Sequence, residues 1–333
     1  MTKRAIVRAA IAVLLLSIPE GLMADTVENR LRSTFRKPME RDAVVLRIIE
    51  GGDRYRGELI SIVEGKEEMF GTRAEVGRGR DVRISAINIL GELKAGDGLK
   101  ALGSVLMASD DPSLIFNSAR SIGRIGGKRA FEILSGALAG SGRREAPRDG
   151  LLKRAAVLGL GLCGDERAIP LLSKELHDEK NDPLLRVCAA GSLGLLGSRE
   201  GLEVAARGVD SGDPQVKMRS IQALGLVGDE SAGEVLELEV ENPRIRFRNA
   251  AKLSLARVTY GNLPHHLRVE FLGRQLEMNS GKGAFIRWAT GELAEMDSPD
   301  ATAMLERFGT SRGEAMAPLR DAANMRLKIN RSR

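Results

Sequence analysis

Between Asp182 and Gly228 the chain runs through one pattern twice. Each copy opens on Asp-Pro (Asp182-Pro183, Asp213-Pro214) and places a basic residue four positions after the aspartate (Arg186, Lys217). Each then reaches a Leu-Gly pair at Gly194 or Gly225 and adds a second glycine three residues on, Gly197 or Gly228. A unit of about thirty residues cannot bury its apolar face alone, so copies must stack on one another. The chain is thereby constrained to a solenoid, in which 333 residues set the number of units rather than the size of a single core.

The pattern extends both ways. Arg83 and Gly91 keep the eight-residue spacing; Asp111-Pro112 leads to Gly123 and Gly126, with Ile115 at the basic position; Asp149-Gly150 and Lys153 lead to Gly161 and Gly164; Asn242-Pro243 and Arg246 lead to Ser254. The closing positions are 32, 38, 33, 31 and 29 residues apart. Asp before Pro reads as an N-cap followed by proline at the first helical position, where a missing N–H is harmless. The closing glycine lets helices approach closely, and the later one suits a helix C-terminus. Asp165, Ser198 and Asp229 are placed to cap the next helix, with Ala168, Gly201 and Ala232 as small packing residues behind them. Helix, turn, helix, turn results: an all-α chain, an α-α superhelix of antiparallel pairs. Aromatic residues are only 3% of the chain, which suits small-residue helix packing better than a sheet.

Outside residues 81–260 the repeat is weaker. In 25–80, helical spacing is predicted over 26–36, 39–50 and 54–63, and the charged, glycine-rich stretch 65–80 reads as a loop, the whole capping the stack. In 261–333, four degenerate helices are predicted over 267–278, 285–296, 301–308 and 315–329. Residues 1–24 have a different character. Lys3, Arg4 and Arg8 precede the apolar run 9–16, Pro19 stops it, and Ala24 offers a small residue for cleavage before Asp25. About ten apolar residues are too few for a span of ~20, so this is read as a secretory signal peptide. An uncleaved membrane anchor is the alternative, because Leu22 is large for its place before the cut. Losing three basic residues and Glu20 lowers the formal charge from +6 to +4. The expected location is periplasmic or extracellular.

Asp182-Pro183, Arg186, Ala189-Ala190 and Leu193-Gly194, with their counterparts in the next unit, resemble the HEAT-repeat family, most closely its short-unit branch named after the phycobiliprotein (PBS) lyases. The resemblance implies a HEAT-type α-solenoid. It also implies a ladder in which the basic series Arg83, Lys153, Arg186, Lys217 and Arg246 pairs with the aspartates of the same or the adjacent unit. The other role open to the series is a stripe facing a ligand. A HEAT-type hydroxylase branch holds iron with His-Glu pairs, and this chain has no His-Glu dipeptide.

Other chemistry is sparse. The string Gly159 to Gly164 fits G-x-G-x-x-G but ends a helical segment instead of following a strand, so dinucleotide binding is not expected. His177, His265 and His266 have no metal-ligand spacing. In the repeat frame Cys163 and Cys188 lie eight positions apart on neighbouring parallel helices, roughly 12 Å along the axis, too far for a disulfide. Both are read as buried apolar residues, and Trp288 as packing. No cofactor or metal is called for. Modest charge and few aromatics argue against nucleic acid.

The 38-residue interval contains an insertion, 139–148, read as a loop that carries Arg143, Arg144 and Arg148 and serves either as a partner-binding element or as a tolerated flexible segment. It is expected to be dispensable for folding. The functional expectation is an exported, non-enzymatic scaffold that binds a protein or peptide on its concave face. The candidate residues are Arg143, Arg144, Arg148, Lys153, Arg186, Lys217 and Arg246. The alternative is a tetrapyrrole (bilin)-handling protein of the lyase type. The cap assignment has a direct test: Asp182→Ala and Asp213→Ala should each lower stability by about 0.5–2 kcal/mol in urea titrations. Changes smaller than ~0.2 kcal/mol at both sites would reject these helix starts.

Overall fold

The computed structural model describes residues 51–65, 73–141, 146–228, 230–313 and 316–332, with the single positions 31, 45, 48 and 49. The described residues contain sixteen α-helices and no strand. They are α1 (Asp53–Glu64), α2 (Arg73–Glu92), α3 (Leu99–Ala108), α4 (Pro112–Ile125), α5 (Gly127–Gly140), α6 (Ala146–Leu162), α7 (Ile169–His177) and α8 (Pro183–Leu195). There follow α9 (Leu202–Gly208), α10 (Pro214–Val227), α11 (Glu230–Glu239), α12 (Ile245–Asn262), α13 (His265–Met278), α14 (Gly283–Glu295), α15 (Pro299–Gly309) and α16 (Ala317–Ser332). The even-numbered helices α2 to α12 pack one on the next in an unbroken inner layer. The odd-numbered ones lie outside and touch each other sparsely. The described residues form an α-solenoid of stacked helix pairs.

The local chemistry that starts and stops these helices follows the sequence pattern. Asp111 Oδ1 accepts from the backbone of Ser113 (2.8 Å) and Leu114 (3.2 Å), Asp182 Oδ1 from Leu185 (3.0 Å), and Asp213 Oδ1 from Gln215 (2.7 Å), each with proline at the first helical position. At the other end, Gly126, Gly164, Gly197 and Gly228 all take positive φ, 67° to 79°. Asp165 caps a short 3-10 turn, Glu166–Ala168, that leads into α7. Ser198 Oγ lies 3.4 Å from the Glu200 nitrogen, and Asp229 is outside the described residues.

The closing glycines of the repeat sit where inner helices cross. A Cβ on Gly91 would lie 2.9 Å from the Ser121 Cα, on Gly123 2.5 Å from the Gly159 carbonyl oxygen, and on Gly161 2.7 Å from the Ser192 Cα. On Gly194 it would lie 2.7 Å from the Leu226 carbonyl carbon, and on Gly225 2.6 Å from the Ser254 Cα. Two glycines of the G-x-G-x-x-G string are thus explained by packing, Gly159 against Leu134 and Gly161 against Ser192, and the third by the turn at Gly164.

Several sequence expectations need correction. The stretch 65–80 is not all loop: α2 begins at Arg73, so the boundary at 80 falls inside a helix. Its glycine content is overridden by tertiary contacts, Arg80 reaching Asp111 (2.9 Å) and Ser113 (2.9 Å) on α4. Helix α6 starts at Ala146, ahead of Asp149-Gly150, because Pro147 is favourable in a first helical turn and Asp149 then complements the dipole from inside it. Consequently the insertion 139–148 is shorter than expected as a loop. Its two ends are absorbed into α5 and α6, only 141–145 separate them, and cutting six residues would remove helical residues. Helix α12 starts at Ile245, two residues after the Asn242-Pro243 signal; Asn242 Oδ1 instead accepts from the Arg244 nitrogen (3.0 Å) in a turn. The predicted helices 26–36 and 39–50 fall outside the described residues except at 31, 45, 48 and 49, which are helical, with Leu31, Ile48 and Ile49 buried. The predicted signal peptide, 1–24, lies wholly outside them.

The four tail helices are present as α13 to α16, and they belong to a second core. One apolar cluster runs from Leu31 to Val258; the other, from Ala256 to Ala323, is built around Leu272, Leu276, Ile286, Leu293 and Leu305. Trp288 packs edge-to-face on Tyr260 (5.8 Å, 88°) and Phe285 (6.5 Å, 73°), and its Nε1 donates to Glu292 (3.1 Å). Helix α16 serves both cores, with Leu319 and Ala323 in the second and Ile329 in the first. The role of the glycine row is testable. Gly161→Ala and Gly225→Ala should each lower stability by about 1–3 kcal/mol through forced separation of inner helices. Gly136→Ala, in open space on α5, should raise it by about 0.5–1 kcal/mol in the same urea titrations.

Candidate functional site

The basic residues of the repeat have a clear destination. Arg83 Nε donates to the Val63 carbonyl (2.7 Å) in the last turn of α1, and Arg186 Nε to the Leu176 carbonyl (2.9 Å) in the last turn of α7. Lys153 Nζ pairs with Glu175 (2.6 Å) and Asn181 (2.8 Å) at the end of α7, and Lys217 Nζ with Glu239 (2.8 Å) at the end of α11. Arg148, assigned to a loop from the sequence, lies in the first turn of α6, donates to the Met107 carbonyl (2.8 Å) at the end of α3 and pairs with Asp110 (2.8 Å). Every one of these cations meets the C-terminal turn of an outer helix, where the last carbonyls lack intrahelical donors and the helix dipole is negative. The expected ladder to the repeat aspartates has other members: Arg80 pairs with Asp111, and Arg154 approaches Asp182 at 3.9 Å. Arg143 and Arg144 lie outside the described residues.

Arg246 is the exception in the series. It stacks over the Phe247 ring at 4.5 Å and faces an inner-surface cleft of ≈ 480 Å³. Every residue lining this cleft comes from an inner helix, α4, α6, α8, α10 or α12. Its apolar wall is made by Phe116, Leu151, Leu158, Leu184 and Met218, and its cations are Arg154, Arg219 and Arg246. Arg219 donates to Gln222 (3.1 Å), and neither it nor Arg246 has a carboxylate within ion-pair distance among the described residues. Cys188 closes the floor, 5% exposed. Burial pushes its thiol up, against the opposing pull of Arg219 and Arg154. Cys163 and Cys188 are both free and buried. His265 and His266 open α13 on the surface. No group of three or more potential ligands able to hold a metal ion occurs among the described residues, and no helix among them is long and apolar enough to cross a membrane.

Arg154 and Arg219 were not singled out in the sequence because they occupy no recurrent position. Arg154 follows the basic position by one residue and Arg219 by two; in other units the first of these sites holds isoleucine, phenylalanine, valine or methionine, and the second serine, asparagine, alanine, cysteine or, at Arg248, arginine. The clamps at the outer-helix ends generate a prediction of their own. Lys217→Met should lower stability by about 1–3 kcal/mol by leaving the nearly buried Glu239 carboxylate with Asn242 alone (2.7 Å). The double change Lys217→Met, Glu239→Gln should recover most of that loss in denaturant titrations; additivity of the two would show that the groups do not interact.

Residues 152–178, spanning the second half of α6, the turn and α7, match the model of the PBS lyase HEAT-like repeat. No curated protein matches the sequence. Among solved structures, the chain is similar to the complex of CpcE and CpcF of phycocyanin lyase from Nostoc sp. PCC7120, at 19% identity and a TM-score of 0.44 over 72% of this chain and 89% of that one. It is also similar to human deoxyhypusine hydroxylase in complex with glycerol, at 18% identity and a TM-score of 0.30 over 73% and 99% of the two chains. The match to the PBS lyase HEAT-like repeat thus falls on one helix pair, α6 and α7, of the stack.

Proposed function

We propose that this protein is an exported, non-enzymatic scaffold whose inner face captures a partner segment carrying apolar and acidic side chains. The observation that carries this reading is the cleft itself: an apolar wall beside two arginines, Arg219 and Arg246, that have no carboxylate of their own among the described residues. A volume of ≈ 480 Å³ holds a few large side chains rather than a whole folded surface. Guanidinium groups at its rim match carboxylates in paired hydrogen bonds, which favours an acidic segment laid along the inner helices. Export is inferred from the basic, apolar and small-residue order of residues 1–24.

The test uses fluorescein-labelled amphipathic peptides that share one apolar face and differ only in a Glu-rich or Lys-rich polar face. The Glu-rich peptide should bind, with affinity falling as salt rises, and Arg219→Glu with Arg246→Glu should weaken it at least tenfold. Equal binding of both peptides, or none, would reject the reading. A parallel titration with biliverdin addresses the tetrapyrrole alternative: a saturable absorbance change lost in the same variant would put a bilin in the cleft instead.

A further inference from the structure

The two ends of the superhelix are tied together by side chains. Glu92, the last residue of α2, binds Arg124 of α4 and, across 234 residues of sequence, Arg326 of α16 at 2.9 Å. Burial alone would raise the Glu92 carboxyl, but the two guanidinium groups together outweigh burial and hold it low. Arg326 passes over α14, where a Cβ on Gly291 would lie 3.9 Å from its Nη2, and one turn further along α14 Glu295 pairs with Lys94 at 3.5 Å. Lys94 closes the turn after α2 with φ 50°, at a position that is a glycine with positive φ in each of the next four units. Glycine suits that left-handed turn better, whereas lysine reaches α14.

The tie is of a kind that can come undone without unfolding either side. Among the described residues no tail helix packs closely along α2 or α4, so the contact is made by the far ends of long side chains. Its apolar share is Ile329, three residues beyond Arg326, with Met325 packed against the same core. On its other side α16 is fixed to the tail by Leu319 and Ala323 in the second core and by Asn330, whose Nδ2 donates to the Ala294 carbonyl at 2.9 Å. Between α12 and α14 the contact is made by the rings of Tyr260 and Trp288 instead of close backbone approach, and the two cores divide there. A junction between two separately packed bodies is where one turns on the other.

Helix α4 connects this tie to the cleft. Phe116 and Arg124 stand just over two turns apart on it, so the helix fastened to Glu92 is also the one that supplies the aromatic part of the cleft wall. A fastening between the ends of a curved stack holds the curve closed, and its loss relaxes the curve and moves the inner walls apart. We propose that α16 is a strap that keeps the superhelix closed over its inner cleft, with the α12 to α14 junction as hinge, and that parting Arg326 from Glu92 and Lys94 from Glu295 opens the cleft. Such a strap depends on the geometry of the cleft and not on what the cleft binds, so it holds or fails independently of the function proposed above.

Two readouts on the full chain test the strap without any ligand. Nitroxide labels at the exposed positions Lys100→Cys on α3 and Ala303→Cys on α15, in a chain with Cys163→Ala and Cys188→Ala, report the separation of the ends by pulsed electron resonance. The strapped chain should show one short-distance population, and Lys94→Gly with Arg326→Gln should add a longer one. With the native cysteines present, N-ethylmaleimide labelling mapped by peptide mass spectrometry should modify Cys188, on the cleft floor, roughly tenfold faster in the same double variant, with Cys163 unchanged. Lys94→Gly alone should leave Tm unchanged or higher, because it restores the glycine turn of the other units, so release is not mistaken for loss of fold. The charge exchange Lys94→Glu with Glu295→Lys should keep the native distance and the native labelling rate. An unchanged distance distribution in the Lys94, Arg326 double variant, an unchanged Cys188 rate, or an equal acceleration at Cys163 would overturn the proposal.

Discussion

The close approach of the inner helices is the constraint on which the rest of the structure depends. At five successive crossings a glycine, Gly91, Gly123, Gly161, Gly194 or Gly225, lies against the next helix so closely that a methyl group would clash, in four of them with its backbone within 3 Å and at Gly123 with the Gly159 carbonyl at 2.5 Å. The outer helices carry ordinary side chains between them and stand further apart. Each pair is therefore a wedge, narrow inside and wide outside, and stacking wedges produces curvature without any residue dedicated to it. The cleft lies on the narrow side, so the same glycines that shorten the inner layer also bring Phe116, Arg154, Arg219 and Arg246, from four different helices, around one cavity.

The row of glycines ends at Ser254 of α12, and the architecture changes there. With a side chain at the crossing position and Tyr260, Phe285 and Trp288 filling the junction, α14 does not join the tight inner series. The apolar core divides at this point, Ala256 falling in one cluster and Val258 in the other. The tail helices are consequently free to take a direction of their own, and α16 uses it to insert Ile329 into the first core and Arg326 onto Glu92. A change of residue type at one crossing is thus linked to contact between the ends of the chain.

What the sequence disclosed follows the same physics. Caps and stops depend on residues one to four positions apart, so Asp111-Pro112, Asp182-Pro183, Asp213-Pro214 and the glycines at 126, 164, 197 and 228 could be assigned before any packing was known. Failures came where tertiary contact outweighed local preference, as in the glycine-rich start of α2, or where a second signal lay nearby, as Pro147 did ahead of Asp149. The basic series was visible as a pattern, but its partners were not, because the end of an outer helix is brought to Lys153 or Lys217 only by the stacking angle. Closure was out of reach for a stronger reason. It depends on a rotation accumulated over every unit, and small errors per unit add up.

The division of labour among the inner-helix cations comes down to helical geometry. Successive residues on an α-helix are rotated by about 100°, so a cation at the clamp position and a cation one or two residues later point to different sides. Arg186 and Lys217 hold that position and turn to the ends of outer helices; Arg154 and Arg219 follow it and turn to the cleft. Arg246 stands at the clamp position by count yet faces the cleft. With the helix beginning two residues after Asn242-Pro243, Arg248 Nη1 is directed at the Asn242 carbonyl at 3.5 Å, in the turn that follows α11, and Arg246 faces the inner surface. The late start of α12 and the turn of Arg246 to the cavity thus occur in the same unit. The clamp position is basic in five of six units, with Ile115 the exception, whereas the positions beside it range over apolar, polar and basic residues from unit to unit. Chemistry toward a partner can vary at those neighbouring positions without disturbing the fold.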